Sequence, residues 1–466
     1  MIEVTLMSLK RSIGDKAFYR RLFSVLIPIL IQNLITNFVS LLDNIMVGQV
    51  GTEPMSGVAI VNQLLFVYNL CIFGGLAGAG IYTAQFFGKG EDEGVRNTMR
   101  LKLWFGLGAV ALALAVLIGM GDKLIGLFLH PGEEDLDLAA TLNYGKQYLN
   151  VMLVQTLPFA LCQIYTSTLR ETGETVLPMK AGITAVFVNL VFNYILIFGK
   201  LGAPALGVVG AAIATVLSRF VECFIVVIWA HTHTDKCRFI PGLYRSLRVP
   251  GALLKSVAVM SAPLLLNEVL WSGGMTTLNQ CYSLRGLEVV SAFNISTTIS
   301  SLFFCAFIAS GNAIGILVGQ VLGAGDTERA VEEDRKLIAF SVALSIVVGL
   351  AMALVAPLIP QVYNTTPGVK ELAVQLLLVG AALMPINSYA NACYFTLRSG
   401  GKTVITFVFD SLFTWVLCIP LAFVLSRFTQ IPILPMYIAV ESLNLIKCLL
   451  GFILVRRRLW VKNLVG

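Results

Sequence analysis

The chain has 466 residues, of which 57% are hydrophobic and 13% charged, with a mean hydropathy of +0.83. A soluble domain carries roughly twice that charged fraction, so the composition excludes an ordinary water-soluble globule and makes the bilayer the solvent. The formal net charge of +7 does not read as nucleic-acid binding, because the basic residues sit in short loops between apolar runs and form no arm or patch.

In chain order, residues 1–20 are polar and lack a short apolar core followed by a small-residue cleavage site, so they read as a cytoplasmic segment and not as a cleaved signal. A helix needs about 20 apolar residues to cross the hydrocarbon core. Such runs fall near 22–47, 57–83, 103–121, 147–168, 180–199 and 206–230, then near 256–280, 289–320, 337–358, 372–396, 403–425 and 435–455. The predicted class is an all-α membrane protein with twelve transmembrane helices in two pseudo-symmetric six-helix lobes. The lobes span 21–230 and 256–455, joined by a basic cytoplasmic linker, 231–255, and followed by a basic tail, 456–466. With the N-terminus inside, the cytoplasmic segments hold 25 of the 33 Lys and Arg, which places both termini in the cytoplasm. The outside loop 132–140 is acidic. Nine cysteines lie almost all in apolar segments without a C-x-x-C pair and read as free thiols.

The two halves repeat residue against residue. Gln85-x-x-Gly88-x-Gly90 recurs as Gln320-x-x-Gly323-x-Gly325, and the same shift of 235 carries Pro28 onto Pro263 and Gly51 onto Gly286. Further on, Leu169-Arg170-x-x-Gly173-x-Thr175 recurs as Leu397-Arg398-x-x-Gly401-x-Thr403 at a shift of 228, which also carries Arg219 onto Lys447. Six helices per copy bring the second copy back to the starting side, so the repeats are parallel. Such repeats suit alternating access around a central site.

Ionisable groups inside a membrane need a partner, a cavity or a job. Asp43, Arg219, Glu222, Glu268, Asp410, Glu441 and Lys447 are the candidates. Asp43 meets Leu278 in the repeat and Asp410 meets Gly182, so both acids belong to one lobe only. Asp43 is either a functional carboxylate or one solvated at the outer interface. Asn189 and Asn193 are four apart and share one helical face; with Asp43 they could cage Na⁺ or tune a proton-carrying carboxylate, or they could simply bond between helices. Glu268, Asp410, Gln32 and Asn387 are candidates for contacting a cationic substrate, with pairing to Lys447 or a backbone group as the structural reading of Glu268. Arg219, Glu222, Glu441 and Lys447 read as structural pairs or snorkelling side chains. No phosphate loop or hydrolase elbow is present. His130, His231 and His233 lack the acidic partners of a catalytic or zinc arrangement. An enzyme is therefore not expected, no cofactor is required, and the energy source is an ion gradient.

Several of these features together resemble the multidrug and toxic compound extrusion (MATE) family of bacterial cation-coupled exporters: Pro28, Asp43 and Met46-Val47-Gly48 in helix 1; Gln85-x-x-Gly88-x-Gly90; Leu169-Arg170-x-x-Gly173 before Asn189-x-x-x-Asn193; and Gly199-x-x-Gly202-x-Pro204-x-x-Gly207 leading into Gly210. The resemblance runs from about residue 20 to 460. It implies a V-shaped multidrug efflux antiporter in the bacterial cytoplasmic (inner) membrane, moving small organic cations or amphipathic compounds against Na⁺ or H⁺, with Asp43, Asn189 and Asn193 as the coupling site; a monomer suffices for the two-lobe arrangement and is the expected state. Where one branch of the family carries an acid on helix 10, this chain has Asn387 and Asn391, and Asp410 is the expected replacement. A lipid-linked oligosaccharide flippase of related architecture is the alternative transporter, and a membrane-embedded enzyme the alternative of another class.

Overall fold

The computed structural model describes residues 13–129, 137–363 and 365–466. The expectations for residues 1–12, for His130 and for the acidic stretch 132–136 lie outside the described residues. Among the described residues all regular structure is helical, and twelve helices are long and apolar enough to cross a membrane. They are α1 (Lys16–Gly48), α2 (Thr52–Lys89), α3 (Asp92–Gly126), α4 (Leu138–Glu171), α5 (Val176–Phe198) and α6 (Gly207–Thr232) in the first half. The second half holds α7 (Gly251–Ser283), α8 (Leu287–Gly323), α9 (Thr327–Val355), α10 (Pro367–Ser399), α11 (Thr403–Phe428) and α12 (Ile433–Arg456). The protein is thus an all-α, multi-pass membrane protein.

Most helices outrun their apolar windows. The 38 residues of α2 reach about 57 Å at 1.5 Å per residue, nearly twice the hydrocarbon thickness of about 30 Å. α3 starts at Asp92 because Asp92 and Glu93 in its first turn suit the positive end of the helix dipole, so the helix begins well before the apolar run. Two charges that fall just outside the apolar runs 103–121 and 337–358 therefore lie in helices and are buried: Lys102 on α3 and Asp334 on α9. Local irregularities sit at identifiable places. α4 carries a 3₁₀ turn at Leu153–Gln155 three residues before Pro158, α11 contains π-helical turns at Val408–Leu412 and Thr414–Cys418 just ahead of Pro420, and α12 is interrupted at Leu443.

The repeat is legible in the backbone as well as in the letters. Gly90 and Gly325 have φ of +78° and +85°, and Gly173 and Gly401 have +87° and +75°, a left-handed conformation that glycine alone adopts without cost. Gly173 and Gly401 end their helices in the same way. Glu174 N donates to the Leu169 carbonyl at 2.8 Å and Lys402 N to the Leu397 carbonyl at 3.1 Å, the six-to-one bond of a Schellman cap. Matching glycines thus mark matching turns.

The described chain groups into two compact units. One contains Ile31–Thr83 and Asp92–Ser256; the other contains Val257–Gly466 together with the segments up to Leu30 and Ala84–Glu91. The first unit is centred on Val58, Val61, Leu65, Ile125, Leu149 and Ala212. In the second, Leu22, Val25 and Ile29 of α1 join Ala313, Leu317 and Leu322 of α8 and Trp460 of the tail in one core, and Arg21 pairs with Glu333 at 3.2 Å. Gly88 explains why the end of α2 joins this unit: its Cα lies against the Gln320 carbonyl, and Gly323 lies against that of Gln85, so closely that neither position has room for a Cβ. The repeated glycines are where the two corresponding helix ends meet. Of the linker expected at 231–255, the stretch from His233 to Pro250 has no regular helix and 251–255 already belong to α7; the stretch is clamped to α3, whose Arg96, Arg100 and Trp104 donate to the carbonyls of Phe239, Leu243 and Leu247 at 3.1, 3.0 and 3.0 Å.

Candidate cation and substrate sites

In the first unit α1 and α5 bring Asp43, Asn189 and Asn193 together. Asn193 Nδ2 donates to Asp43 Oδ1 at 2.6 Å. With its amide turned to satisfy both neighbours, Asn189 donates to the same oxygen at 2.8 Å and accepts from Thr215 Oγ1 of α6 at 3.3 Å. Both asparagines are buried, and the Asn193 Oδ1 atom has no hydrogen-bond partner among the described residues. A buried unpaired amide oxygen is costly, which makes it a ready ligand. Two carboxylate oxygens, the amide oxygens and a hydroxyl form a hard-oxygen set. As arranged, the amides donate to Asp43; rotation of either would present its oxygen to a cation instead. Thr215 was not among the sequence candidates. It lies one residue past the Gly210-Ala-Ala-x-Ala214 run, and only the packing of α6 on α5 brings it in.

Two other polar groups belong to this unit. Gln32 on α1 accepts a short hydrogen bond from Arg170 on α4 and so is occupied as a strut. Arg219 pairs with Glu222 three residues on, at 2.8 Å, as a structural pair on one helix face.

The second unit has no copy of the Asp43 constellation: Leu278, Leu417 and Leu421 stand at the positions that repeat Asp43, Asn189 and Asn193. Its polar centre is built elsewhere. Asp410, in the first π-helical turn of α11, accepts from Lys447 Nζ of α12 at 2.6 Å through Oδ1 and from Asn267 Nδ2 of α7 at 3.2 Å through Oδ2. Asn267 is held by Ser411, whose Oγ donates to Asn267 Oδ1 at 2.7 Å and whose N donates to it at 3.3 Å. Asn387 accepts from Asn444 at 3.1 Å, and Asn444 also donates to Glu441 at 3.1 Å. Glu268, half-buried on α7 next to Asn267, makes no hydrogen bond among the described residues, and Lys447 serves Asp410 instead of it. Sequence reasoning had placed Lys447 among structural pairs without finding its partner, because the partner is 37 residues away on a helix whose π turns shift the side-chain phase.

Two buried groups lie apart from these sites. Lys102 donates to Glu171 Oε2 at 2.5 Å and to Ser167 and Thr168 hydroxyls at 3.1 Å each. Asp334 accepts from Thr396 Oγ1 at 2.6 Å.

Comparison with known proteins bears on the whole chain. A multidrug resistance protein, NorM, from Thermotoga maritima is 25% identical over 454 residues, covering 96% of this chain and 94% of the relative. The multidrug resistance protein MdtK from Edwardsiella ictaluri is 24% identical, covering 88% of each. Among solved structures, a MATE protein in a bent conformation superimposes with a TM-score of 0.84 at 20% identity, covering 97% of both chains. An outward-facing multidrug resistance MATE transporter gives 0.83 at 18% identity over 96% of this chain and 97% of the other. The model of the MatE family matches residues 28–195 and 263–424, one stretch in each repeat and together well over half the chain, and the protein therefore belongs to the MatE family.

Proposed function

We propose that the protein is a secondary transporter that exports small organic cations and amphipathic compounds across the bacterial cytoplasmic membrane, in exchange for Na⁺ or H⁺ bound at Asp43, Asn189 and Asn193. The observation that carries this reading is the buried carboxylate–amide cluster across α1, α5 and α6, in which the Asn193 oxygen has no partner among the described residues. The drug-resistance names of relatives over nearly the full length support export and small molecules as cargo. They favour neither a lipid-linked oligosaccharide flippase nor an enzyme. Both termini are placed in the cytoplasm, and a monomer holds both candidate sites.

Coupling requires that the ion bind one conformation better than the other. Asp43 meets that need in a simple way: with its cation or proton absent it is satisfied by two amide donors, and with the cation present the amides must turn, so occupancy and the packing of α1 against α5 and α6 are linked. In the second unit, Asp410 with Asn267, Glu268 and Asn387 is the candidate surface for cargo, while Gln32 is committed to Arg170.

Ethidium efflux from cells deprived of their own pumps tests the reading, with Na⁺ and pH gradients imposed separately. Wild type should extrude the dye under one of the two gradients, and Asp43→Asn should not at equal membrane abundance. Equal efflux by Asp43→Asn would sink the coupling assignment. No efflux by wild type under either gradient would remove organic cations as cargo.

A further inference from the structure

The second unit contains a cation of its own making. Lys447 Nζ sits 2.6 Å from Asp410 Oδ1, 5.4 Å from the centre of the Phe409 ring and 5.9 Å from that of Phe413. A carboxylate flanked by two aromatic faces is the arrangement that recognises an organic ammonium. Phe409 and Phe413 are buried, whereas the Asp410 and Lys447 side chains remain 21% and 12% exposed, so the aromatic walls are fixed and the charged end keeps a limited exposure. Asn267, locked by Ser411, donates to the far carboxylate oxygen and holds Asp410 in place.

Comparison of the repeats explains why this lysine is not simply a structural partner. Its counterpart Arg219 is neutralised on its own helix by Glu222 at 2.8 Å. At the position that repeats Glu222 the second half has Leu450, so Lys447 has no such partner and reaches across to Asp410. Asp410 in turn repeats Gly182, where a side chain would press on Gln32. An acid has been gained and a neutralising acid lost, each in the same half. The acid sits in a π-helical turn, an irregularity that costs helix regularity and recurs at functional sites. Glu441, also on α12 and hydrogen-bonded by Asn444 at 3.1 Å, lies close enough to act on Lys447 electrostatically and offers the ammonium a second carboxylate.

We propose that Asp410, Phe409 and Phe413 form a binding site for monovalent lipophilic organic cations, and that Lys447 is a competitor built into the chain, which fills the site until such a cation displaces its ammonium toward Glu441. The assignment rests on the organic-cation reading above and adds to it a place of binding and a threshold. Small hydrated inorganic ions gain little from aromatic walls and do not displace the lysine, so this half selects cargo and not coupling ion.

Equilibrium dialysis of the purified full-length protein against tetraphenylphosphonium tests it, with wild type, Lys447→Met, Lys447→Arg, Asp410→Asn and the Lys447→Met/Asp410→Asn double variant. Removing the competitor should tighten binding about tenfold, the scale of one desolvated cation–aromatic contact. Lys447→Arg should stay near wild type, and the double variant should lose the gain. Asp410→Asn alone should bind about tenfold more weakly than wild type, which decides the matter even if Lys447→Met does not fold. Equal affinity for wild type and Asp410→Asn overturns the proposal, as does a folded Lys447→Met that binds no tighter. In either case ethidium export by wild type would leave the transport reading standing, whereas wild type that neither binds tetraphenylphosphonium nor exports ethidium would remove that reading first.

Discussion

Replacing Lys102 by methionine should strongly destabilise the first unit. Lys102 is fully buried on α3, and its three ammonium protons are used by Glu171 at 2.5 Å and by Ser167 and Thr168 at 3.1 Å. All three acceptors lie in the last turns of α4, so the pair fastens α3 to α4. Methionine keeps most of the volume but removes the ammonium bonded to the Glu171 carboxylate, which is only 14% exposed. Gly80 on α2 packs so close to that carboxylate that there is no space for a Cβ, which limits any escape toward α2. Breaking a buried pair from one side costs about 3 to 5 kcal/mol, whereas replacing both partners by apolar groups of similar volume is close to neutral. The expected order of thermal midpoints, read by size exclusion of heated detergent-solubilised protein, is therefore wild type near Lys102→Met/Glu171→Met, with Lys102→Met well below both. A single variant as stable as wild type would refute the reasoning. So would a double variant that loses the sum of the two single losses.

Gly88→Leu and Gly323→Leu should each cost at least about 1 to 3 kcal/mol of stability from overpacking, because the Cβ would meet the backbone of Gln320 or Gln85 and not a movable side chain; matched losses in a heating assay are expected, and a tolerated leucine at either site would contradict the packing. Gln85→Leu should free the tail. Gln85 Oε1 accepts from Leu464 N at 2.7 Å and Nε2 donates to the Ser399 and Lys462 carbonyls at 3.0 and 3.3 Å, so its loss strands three backbone groups at about 1 to 3 kcal/mol each when they stay buried. Tryptic cleavage after Lys462 should accelerate, and an unchanged cleavage rate would argue against the anchor. Cys237 in the linker is buried, and that burial pushes its thiol up to about 11. As the sole remaining cysteine it should react with maleimide near neutral pH about a hundredfold more slowly than an ordinary thiol. The rate should rise as pH climbs toward 11, while labelling at the ordinary rate would show the linker lifting off α3.

The fold was readable because hydropathy and repetition act through different physics and agree. Twelve apolar windows follow from the bilayer's thickness, and the glycine pairs 90/325 and 173/401 follow from left-handed turns that no other residue takes cheaply. Helix ends were less readable, since a helix continues into water wherever capping and charge permit it; that is why Lys102 and Asp334 fall just outside the apolar runs and are nonetheless buried in α3 and α9. For the first-half site the residue types and the i, i+4 spacing of Asn189 and Asn193 were visible, but not Thr215, which enters only through the packing of α6 on α5. The second-half site shows the deeper limit. Arg219 and Lys447 occupy repeated positions with the same charge, yet one is answered three residues away and the other by an acid on a different helix, 37 residues away. A repeat predicts that a charge recurs. It does not predict who answers it, because Leu450 in place of Glu222 and Asp410 in place of Gly182 together turn the charge to the neighbouring helix. Two halves of common descent thus come to hold their carboxylates differently, Asp43 by two amide donors and Asp410 by a lysine and one amide.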